Sequence, residues 1–405
     1  MKIVQLATSL NGGAGIAALR MSNALNGVGE DSMIISRDGI LTTGNSDVIS
    51  TKINPLKRLG SAAVTLSQSK MLQKTNDLVT PWSINTLKIS KEVFERADII
   101  HIHAYYNFLS SSSLRKILAL GKPTLFTLHD QRLFTGGCHY SRACNNFEAH
   151  CASCPQVRKP FASIVKRSFS KQKDLFRYIT NVELVSPSYW LANYAKKGSI
   201  SRDLPIHVVK NPIPKIFFET KVTEQKIFDG SFRVAFIATN LQNPYKDLTV
   251  FTKAINEYSK LSSRKICVVL VGKGVIPNFE PTLQIENIQP RTESEMALLL
   301  STIDLVIVPS NQDNSPSVIG EALAMGVSVI GSDAGGIPEI LKNFQMPIFS
   351  VGDIKQLTEL ITHWKPQINR EVIREKAKKE FSEEVIGQEL LNIYLEFQMK
   401  LIQRY

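Results

Sequence analysis

Short apolar runs alternate with longer amphipathic stretches along this chain. Ile3–Ala7, Ser32–Ser36, Asp98–His103, Thr124–His129 and Val182–Ser186 read as strands of a parallel sheet, buried on both faces. Helix-length segments separate most of them, as βαβ units require. A proline-marked break at Lys210-Asn-Pro-Ile-Pro214 ends the series. A second series follows, with strands at Arg233–Ala238, Ile266–Val271, Leu305–Val308 and Val327–Gly331. The pattern predicts two doubly wound α/β domains joined near residues 205–215. Beyond them Ser382 is placed as a helix N-cap, and Val385, Leu390, Ile393, Tyr394, Phe397 and Leu401 keep helical spacing. The expected division is 1–208, 209–381 and a helix over 382–405 that packs back on the first domain.

Composition narrows the classes. With 405 residues, 43% hydrophobic and 21% charged, the chain is an ordinary globular protein of about two domains, not a disordered or fibrous one. No apolar run nears the ~18 residues of a membrane span. The opening MKIVQLATSL reads as a buried strand rather than a signal peptide, so a cytoplasmic protein with reduced cysteines is expected. Charge is lopsided. Residues 1–210 carry 27 Lys and Arg against 13 Asp and Glu, whereas the remainder carry 21 against 23. The first half is thus expected to face an anionic partner.

Two strand-to-helix turns carry candidate chemistry. The first strand runs into Asn11-Gly-Gly-Ala-Gly15 before a helical stretch, where glycines permit close backbone approach and a helix N-terminus favours an anion. The fuller signal is Pro309-Ser-Asn-Gln-Asp-Asn-Ser-Pro-Ser-Val-Ile-Gly-Glu-Ala-Leu-Ala-Met-Gly326. Ser315 is placed as N-cap, Pro316 as the first helical residue and Gly326 as the stop. The amides of Ser315, Ser317 and Val318 would meet a phosphate or sugar oxygen. Asp313 and Glu321 would accept hydrogen bonds from hydroxyls on either side of it, while Val318, Ala322 and Met325 face the core.

This segment, with Val329-Ile-Gly-Ser-Asp-Ala-Gly-Gly-Ile-Pro-Glu339 after it, resembles the donor site of retaining glycosyltransferase family 4. Asp98-Ile-Ile-His-Ile-His103, Thr127-Leu-His-Asp130, His207-Val-Val-Lys-Asn-Pro-Ile213, Tyr245-Lys-Asp247 and Phe381-Ser-Glu fall in that family's order. The resemblance implies a GT-B fold, with two facing Rossmann-like domains and the active site in a cleft between them. It implies transfer of a sugar from a UDP-sugar or GDP-sugar to a growing, lipid-linked bacterial surface glycan, with retention of configuration and no catalytic metal. Asp313 and Glu321 match the family's acidic pair, with seven residues between and Asp in place of the usual first Glu. Gly12, Gly13 and Gly15 would approach the pyrophosphate. His129 would contact the donor sugar, Lys246 the leaving diphosphate, Asp313 the sugar hydroxyls and Glu321 the ribose. Asn240 stands where the family often has a second cation, Arg, and Asp247 where Gly is common.

Four cysteines, Cys138, Cys144, Cys151 and Cys154, cluster in an insertion over 136–155. Reduced thiols at this spacing suit a structural zinc ion, with His139 and His150 as substitute ligands. Cys267 reads as a buried small hydrophobe. Residues 156–180 interleave Arg158, Lys159, Lys166, Arg167, Lys171, Lys173 and Arg177 with Phe161, Ile164, Val165, Phe169, Phe176 and Ile179. They read either as a helix lying on an anionic membrane surface or as a domain helix with a basic face. Residues 52–74, with Lys52, Lys57, Arg58, Lys70 and Lys74, would extend the patch. His101 and His103 are expected to point to opposite sides of their strand, one toward the cleft.

Two other enzymes are weighed, a nucleotide-sugar epimerase of the same architecture and a nicotinamide oxidoreductase. The latter lacks its glycine fingerprint and has only Asp38 as a ribose-binding acid. No nucleic-acid-binding motif accompanies the basic charge.

Overall fold

A computed structural model describes residues 1–37, 48–50, 55–73, 78–83, 91–221, 231–365 and 369–403. Asp38, Lys52 and Lys74 lie outside the described residues. The chain divides into two compact units, 1–211 with 386–405, and 212–385.

Among the described residues the first unit holds seven strands: β1 Lys2–Ala7, β2 Asp31–Ser36, β3 Val48–Ser50, β4 Ile99–Ala104, β5 Thr124–Thr127, β6 Val182–Ser186 and β7 Ile206–Val208. Their order across the sheet is β3-β2-β1-β4-β5-β6-β7, every pair parallel. The second unit holds β8 Phe232–Asn240, β9 Ile266–Lys273, β10 Gln284–Ile288, β11 Leu305–Val308, β12 Ser328–Ser332 and β13 Ile348–Phe349. Their order is β10-β9-β8-β11-β12-β13, again all parallel. Both are doubly wound Rossmann-like α/β units, as the alternating pattern predicts.

Apolar runs are continuous in the inner strands because both faces of each sheet are covered. In β5 and β6, Phe126 and Leu184 pack with Val165 and Phe169 of the helix Ala162–Phe176. Their neighbours Leu125 and Val185 face the other way, against Ile386, Leu390, Tyr394 and Phe397. Those four belong to the terminal helix Glu383–Ile402, which therefore completes one face of the first unit's core. Its start is capped as expected, the Val385 amide donating to Ser382 Oγ at 3.4 Å. Val385 itself is exposed, and Ile386 takes the buried place. In the second unit Cys267 is buried in β9, as expected.

The terminal helix sits close to the helix Gly13–Gly27 at Gly387. A Cβ there would lie 2.4 Å from the Ala24 carbonyl oxygen, a backbone atom that no side-chain rotation can move aside. Gly387→Ala should therefore destabilise the protein by about 1–3 kcal/mol through forced separation of the two helices. A denaturant titration against wild type, with an unchanged midpoint as the contrary result, checks this.

Candidate active site

In the second unit the strand order turns at β8, with β9 on one side and β11 on the other. Ligands of doubly wound sheets bind outside the carboxyl ends at such a point. The loops after β8 and β11 meet there. Lys246 Nζ donates to Asp313 Oδ2 at 2.5 Å across the crevice, with both side chains largely buried. Asn311 clamps the loops together: its amide donates to Tyr245 O at 2.9 Å and its Nδ2 to Pro244 O at 2.8 Å. On the far side the loop after β12 supports Asp313, whose carbonyl accepts from the Gly336 amide at 3.1 Å. Gly335 adopts φ +58°, and a Cβ there would fall 1.6 Å from Asp313 O, so only glycine fits.

Lys246 is held by the turns around it. Asn243 Oδ1 accepts from the Tyr245 amide at 3.0 Å, and the Lys246 amide returns to Asn243 O at 3.0 Å. Asp247 is left-handed, φ +51°, which accounts for the glycine common at this place in the resembling family. Its carboxylate then caps the helix Leu248–Leu261 by accepting from the Val250 amide at 3.3 Å. Asn240 is exposed at the end of β8, and its Oδ1 accepts from the Gln242 amide at 2.9 Å.

The acidic pair is mounted as the spacing suggests, with one correction. The helix runs Ser317–Ala324, so Pro316 rather than Ser315 is the cap, with no side-chain cap bond. Pro316 is extended at φ −68°, ψ 115°, which carries Ser315 back into the loop. The first-turn amides of Ser317 and Val318 have no carbonyl four residues back within the helix. Glu321 is buried, Ala322 and Met325 join the core, Val318 packs on it, and Gly326 stops the helix at φ +69°.

In the first unit the glycines of the Gly12–Gly15 turn differ in what they do for the backbone. Gly12 has φ +128°, and a Cβ on Gly15 would lie 1.9 Å from Ser9 O, whereas Gly13 meets nothing. A pocket at the carboxyl ends of β4 and β5 is lined by Ala14, His103, Tyr106, His129, Asp130 and Arg132, among others. His129 lies two residues beyond β5 and is half-buried, and burial lowers its pKa to about 4. Burial would raise the Asp130 carboxyl, but it ends below its ordinary range. His139 Nδ1 sits 2.6 Å away, and the Arg132 amide donates at 2.8 Å.

The expectation that His101 and His103 face opposite sides is wrong. Side chains two apart in a strand share a face, and the rings stack at 4.4 Å. His101 Nδ1 bonds Tyr394 OH at 2.6 Å and its Nε2 bonds Thr127 Oγ1 at 2.7 Å. His103 Nδ1 is 3.2 Å from His129 Nε2. Burial pushes His101 down to about 3 and His103 well below its ordinary value.

The cysteine segment does not fit a four-thiolate zinc centre as it stands. Among the described residues no group of three or more His, Cys, Asp or Glu could hold a metal ion. Cys138, Cys144, Cys151 and Cys154 are free thiols, and burial pushes Cys138 upward and Cys151 up to about 12. His139 is committed to Asp130 and to Thr80 Oγ1, 2.9 Å away. Phe147, fully buried beside Phe134, anchors the segment. Of the two readings of the basic segment, the structure shows the domain helix with a basic face. Val165, Phe169 and Phe176 are in the domain core, so they are not available to a lipid surface. Lys166, Arg167, Lys171 and Arg177 form a solvated face. Among the described residues no helix is long and apolar enough to cross a membrane.

Known proteins align with this frame. Residues 231–364 match the family model Glycosyl transferases group 1. The second unit carries a group 1 glycosyltransferase domain. Over 297 residues the chain is 24% identical to WcaC of Escherichia coli K12, by name a colanic acid biosynthesis glycosyl transferase, with 68% of each protein covered. A glycosyltransferase structure from Rickettsia africae shares the fold at TM-score 0.63, 15% identity and 98% coverage of both chains. Anabaena HepE in complex with UDP does so at TM-score 0.60 and 14% identity, covering 98% of this chain and all of that one. The fold is thus GT-B.

Reading the residues in isolation missed Asn311, whose only signal is its place in the loop after a buried strand. It also gave no separate role to Gly335, whose signal is the Gly-Gly pair after β12. Gly335→Ala in the glycosyltransferase domain should cost about 1–3 kcal/mol of stability, read by denaturation, and should displace the Asp313 loop. A second expectation concerns pH. The folded His101 and His103 have pKa values below their ordinary 6.5. The unfolded chain therefore binds more protons below that pH, and stability present above it is lost as the pH falls. Each histidine should contribute up to about 1.4 kcal/mol per pH unit in this window. Denaturant midpoints at pH 7, 6 and 5 test it, and a flat profile would contradict it.

Proposed function

We propose that the protein moves a sugar from a nucleoside-diphosphate sugar to a growing, lipid-linked bacterial surface glycan, retaining anomeric configuration as family 4 enzymes do. The observation that carries this is the Lys246–Asp313 pair at the mouth of the switch point, beside the helix that presents Glu321. A nucleoside diphosphate sugar asks for this set: a cation for the leaving phosphate, carboxylates for neutral hydroxyls and helix amides for oxygens. The group 1 match over the same segment supports the reading. The E. coli relative's name supports the glycan class, and the UDP in the Anabaena structure supports a nucleotide donor.

In this reading Lys246 meets charge that grows on the diphosphate as the bond from the anomeric carbon to the phosphate oxygen breaks. Its effect is therefore greater in the transition state than in the ground state. The acceptor oxygen bonds the anomeric carbon on the face the phosphate leaves, and its proton passes to a phosphate oxygen. Lys246 and the amides of Ser315, Ser317 and Val318 take the charge that a metal ion would otherwise hold. Asp313 accepts from sugar hydroxyls and Glu321 from the ribose. From the first unit, His129 is assigned to the donor sugar and the Gly12–Gly15 turn to the pyrophosphate. The solvated basic face at Lys166, Arg167, Lys171 and Arg177 supplies electrostatic attraction to an anionic membrane bearing the acceptor.

The test is a thermal-shift screen with UDP, GDP, ADP and their sugar conjugates. One nucleotide should raise the melting temperature of wild type, and Glu321→Ala should lose that shift. Lys246→Ala should lose at least about 100-fold in turnover with the selected donor. No shift with any nucleotide, in folded protein, would overturn the reading.

A further inference from the structure

We infer that Asp130 is the carboxylate with which the first unit holds hydroxyls of the acceptor saccharide, with the Tyr106 hydroxyl beside it. The role of acceptor rests on the transfer reaction proposed above; the binding of a sugar at this carboxylate does not. Both residues line the pocket at the carboxyl ends of β4 and β5, together with His129.

Asp130 is held from behind by a line of side chains. His139 Nδ1 lies 2.6 Å from Asp130 Oδ2, and His139 Nε2 lies 2.9 Å from Thr80 Oγ1. Arg132 Nε donates to the same Thr80 oxygen at 3.2 Å, and Arg132 Nη2 donates to the Thr80 carbonyl at 2.9 Å. A guanidinium only donates, so the Thr80 hydroxyl accepts from it and spends its own proton on His139 Nε2. The ring proton of His139 is then on Nδ1, where it meets Asp130. The order acid, imidazole, hydroxyl is that of a nucleophilic triad. Here the threonine is 5% exposed and the histidine 2%, so neither is open to a substrate. The accessible member is the acid, with 22% of its side chain exposed.

The backbone fixes this line. Residues 78–80 run antiparallel to 137–139. The Thr80 amide donates to Gly137 O at 2.7 Å and the His139 amide to Leu78 O at 3.0 Å, about the bridge between Val79 and Cys138. The Gln131 amide donates to His139 O at 3.0 Å. The cysteine segment thus delivers His139 to Asp130.

What this arrangement offers at Asp130 is an acceptor. Burial alone would raise its carboxyl, but His139 and the Arg132 amide, which donates to Oδ1 at 2.8 Å, hold it below its ordinary range. It is an anion at neutral pH and has no proton to give. Among the described residues each of its oxygens has one hydrogen-bond donor, which leaves a lone pair on each. Two adjacent hydroxyls of a pyranose match two such lone pairs. Tyr106 packs its ring edge-on against His139, with centroids 4.8 Å apart, and its carbonyl accepts from Thr8 Oγ1 at 2.9 Å. Burial, then the Asp130 charge, push its pKa up to about 12, so it stays a neutral hydroxyl that both donates and accepts. A cation suits the pocket less well, because the Arg132 guanidinium lies in the same wall and opposes the effect of Asp130 on Tyr106.

The experiment is saturation-transfer NMR of the ligand-free full chain with the methyl glycosides of glucose, galactose and mannose. At least one should take up saturation from wild type. Its binding to folded Asp130→Asn should be at least about 10-fold weaker, as when a charged acceptor is lost. Tyr106→Phe keeps the ring against His139 and should weaken the same glycoside by about 3-fold. No saturation transfer to any of the glycosides, or equal binding by wild type and folded Asp130→Asn, would overturn the proposal. If Asp130→Asn does not fold, equal binding by wild type and Tyr106→Phe overturns it instead. None of these readouts needs a nucleotide or turnover. If no nucleotide shifted the melting temperature while the glycoside result held, the transfer reading would fall and the sugar site would stand. A nucleotide shift without glycoside binding would leave the donor reading in place and remove Asp130 from it.

Discussion

A parallel strand must return by a crossover, so each connection leaves the carboxyl end of a strand and enters the N-terminus of a helix. Among the described residues both units are built only of such strands. Every residue proposed here to touch substrate follows from that constraint. The glycine turn leaves β1, His129 lies beyond β5, Lys246 follows β8 and Asp313 follows β11. Strand order then decides which loops meet. Because β8 and β11 are neighbours, residues 67 apart in sequence come within 2.5 Å as Lys246 and Asp313.

The two units solve the burial of polar groups differently. In the second, the charged pair sits at the crevice mouth, where a ligand can compete for each partner. In the first, the polar line through Ser32, Gln5 and His103 passes across the sheet itself. Unpaired, such groups would each cost about 1–3 kcal/mol. Paired end to end, they avoid that cost inside the sheet.

What was legible in the sequence follows burial. The inner strands, covered on both faces, are continuous apolar runs and are predicted to within two residues. The strands not predicted, β3, β7, β10 and β13, are the four sheet edges. Among them β7 and β10 are half exposed, so they lack the apolar signature. At the candidate site the residue types and loops were legible, because caps, stops and acidic spacing are local. The helix start was missed by one residue, since Pro316 suits both an extended cap and a first turn. The zinc expectation rested on reduced thiols and their spacing, which do not register how the fold places the four cysteines relative to one another. The polar line through Gln5 was invisible because its members are far apart in sequence, on β2, β1 and β4 and beyond β5.

The departures from the family pattern make sense together. Asn240 is spent on its own turn, bonding the Gln242 amide, and adds no cation to the loop. Lys246 stands instead on a turn closed by Asn243 and on a left-handed Asp247 whose carboxylate caps the next helix. Asp313, one methylene shorter than the usual Glu, keeps its carboxylate near its own backbone, which Gly336 holds from behind. In that position it pairs with Lys246 directly. In the proposed function, donor binding on this loop pair would divide an existing ion pair between phosphate and sugar. The lysine's attraction to the diphosphate is offset by the loss of that contact until the carboxylate gains its own hydroxyls. A bare diphosphate would then bind less favourably than one bearing a sugar, because only the conjugate satisfies both partners.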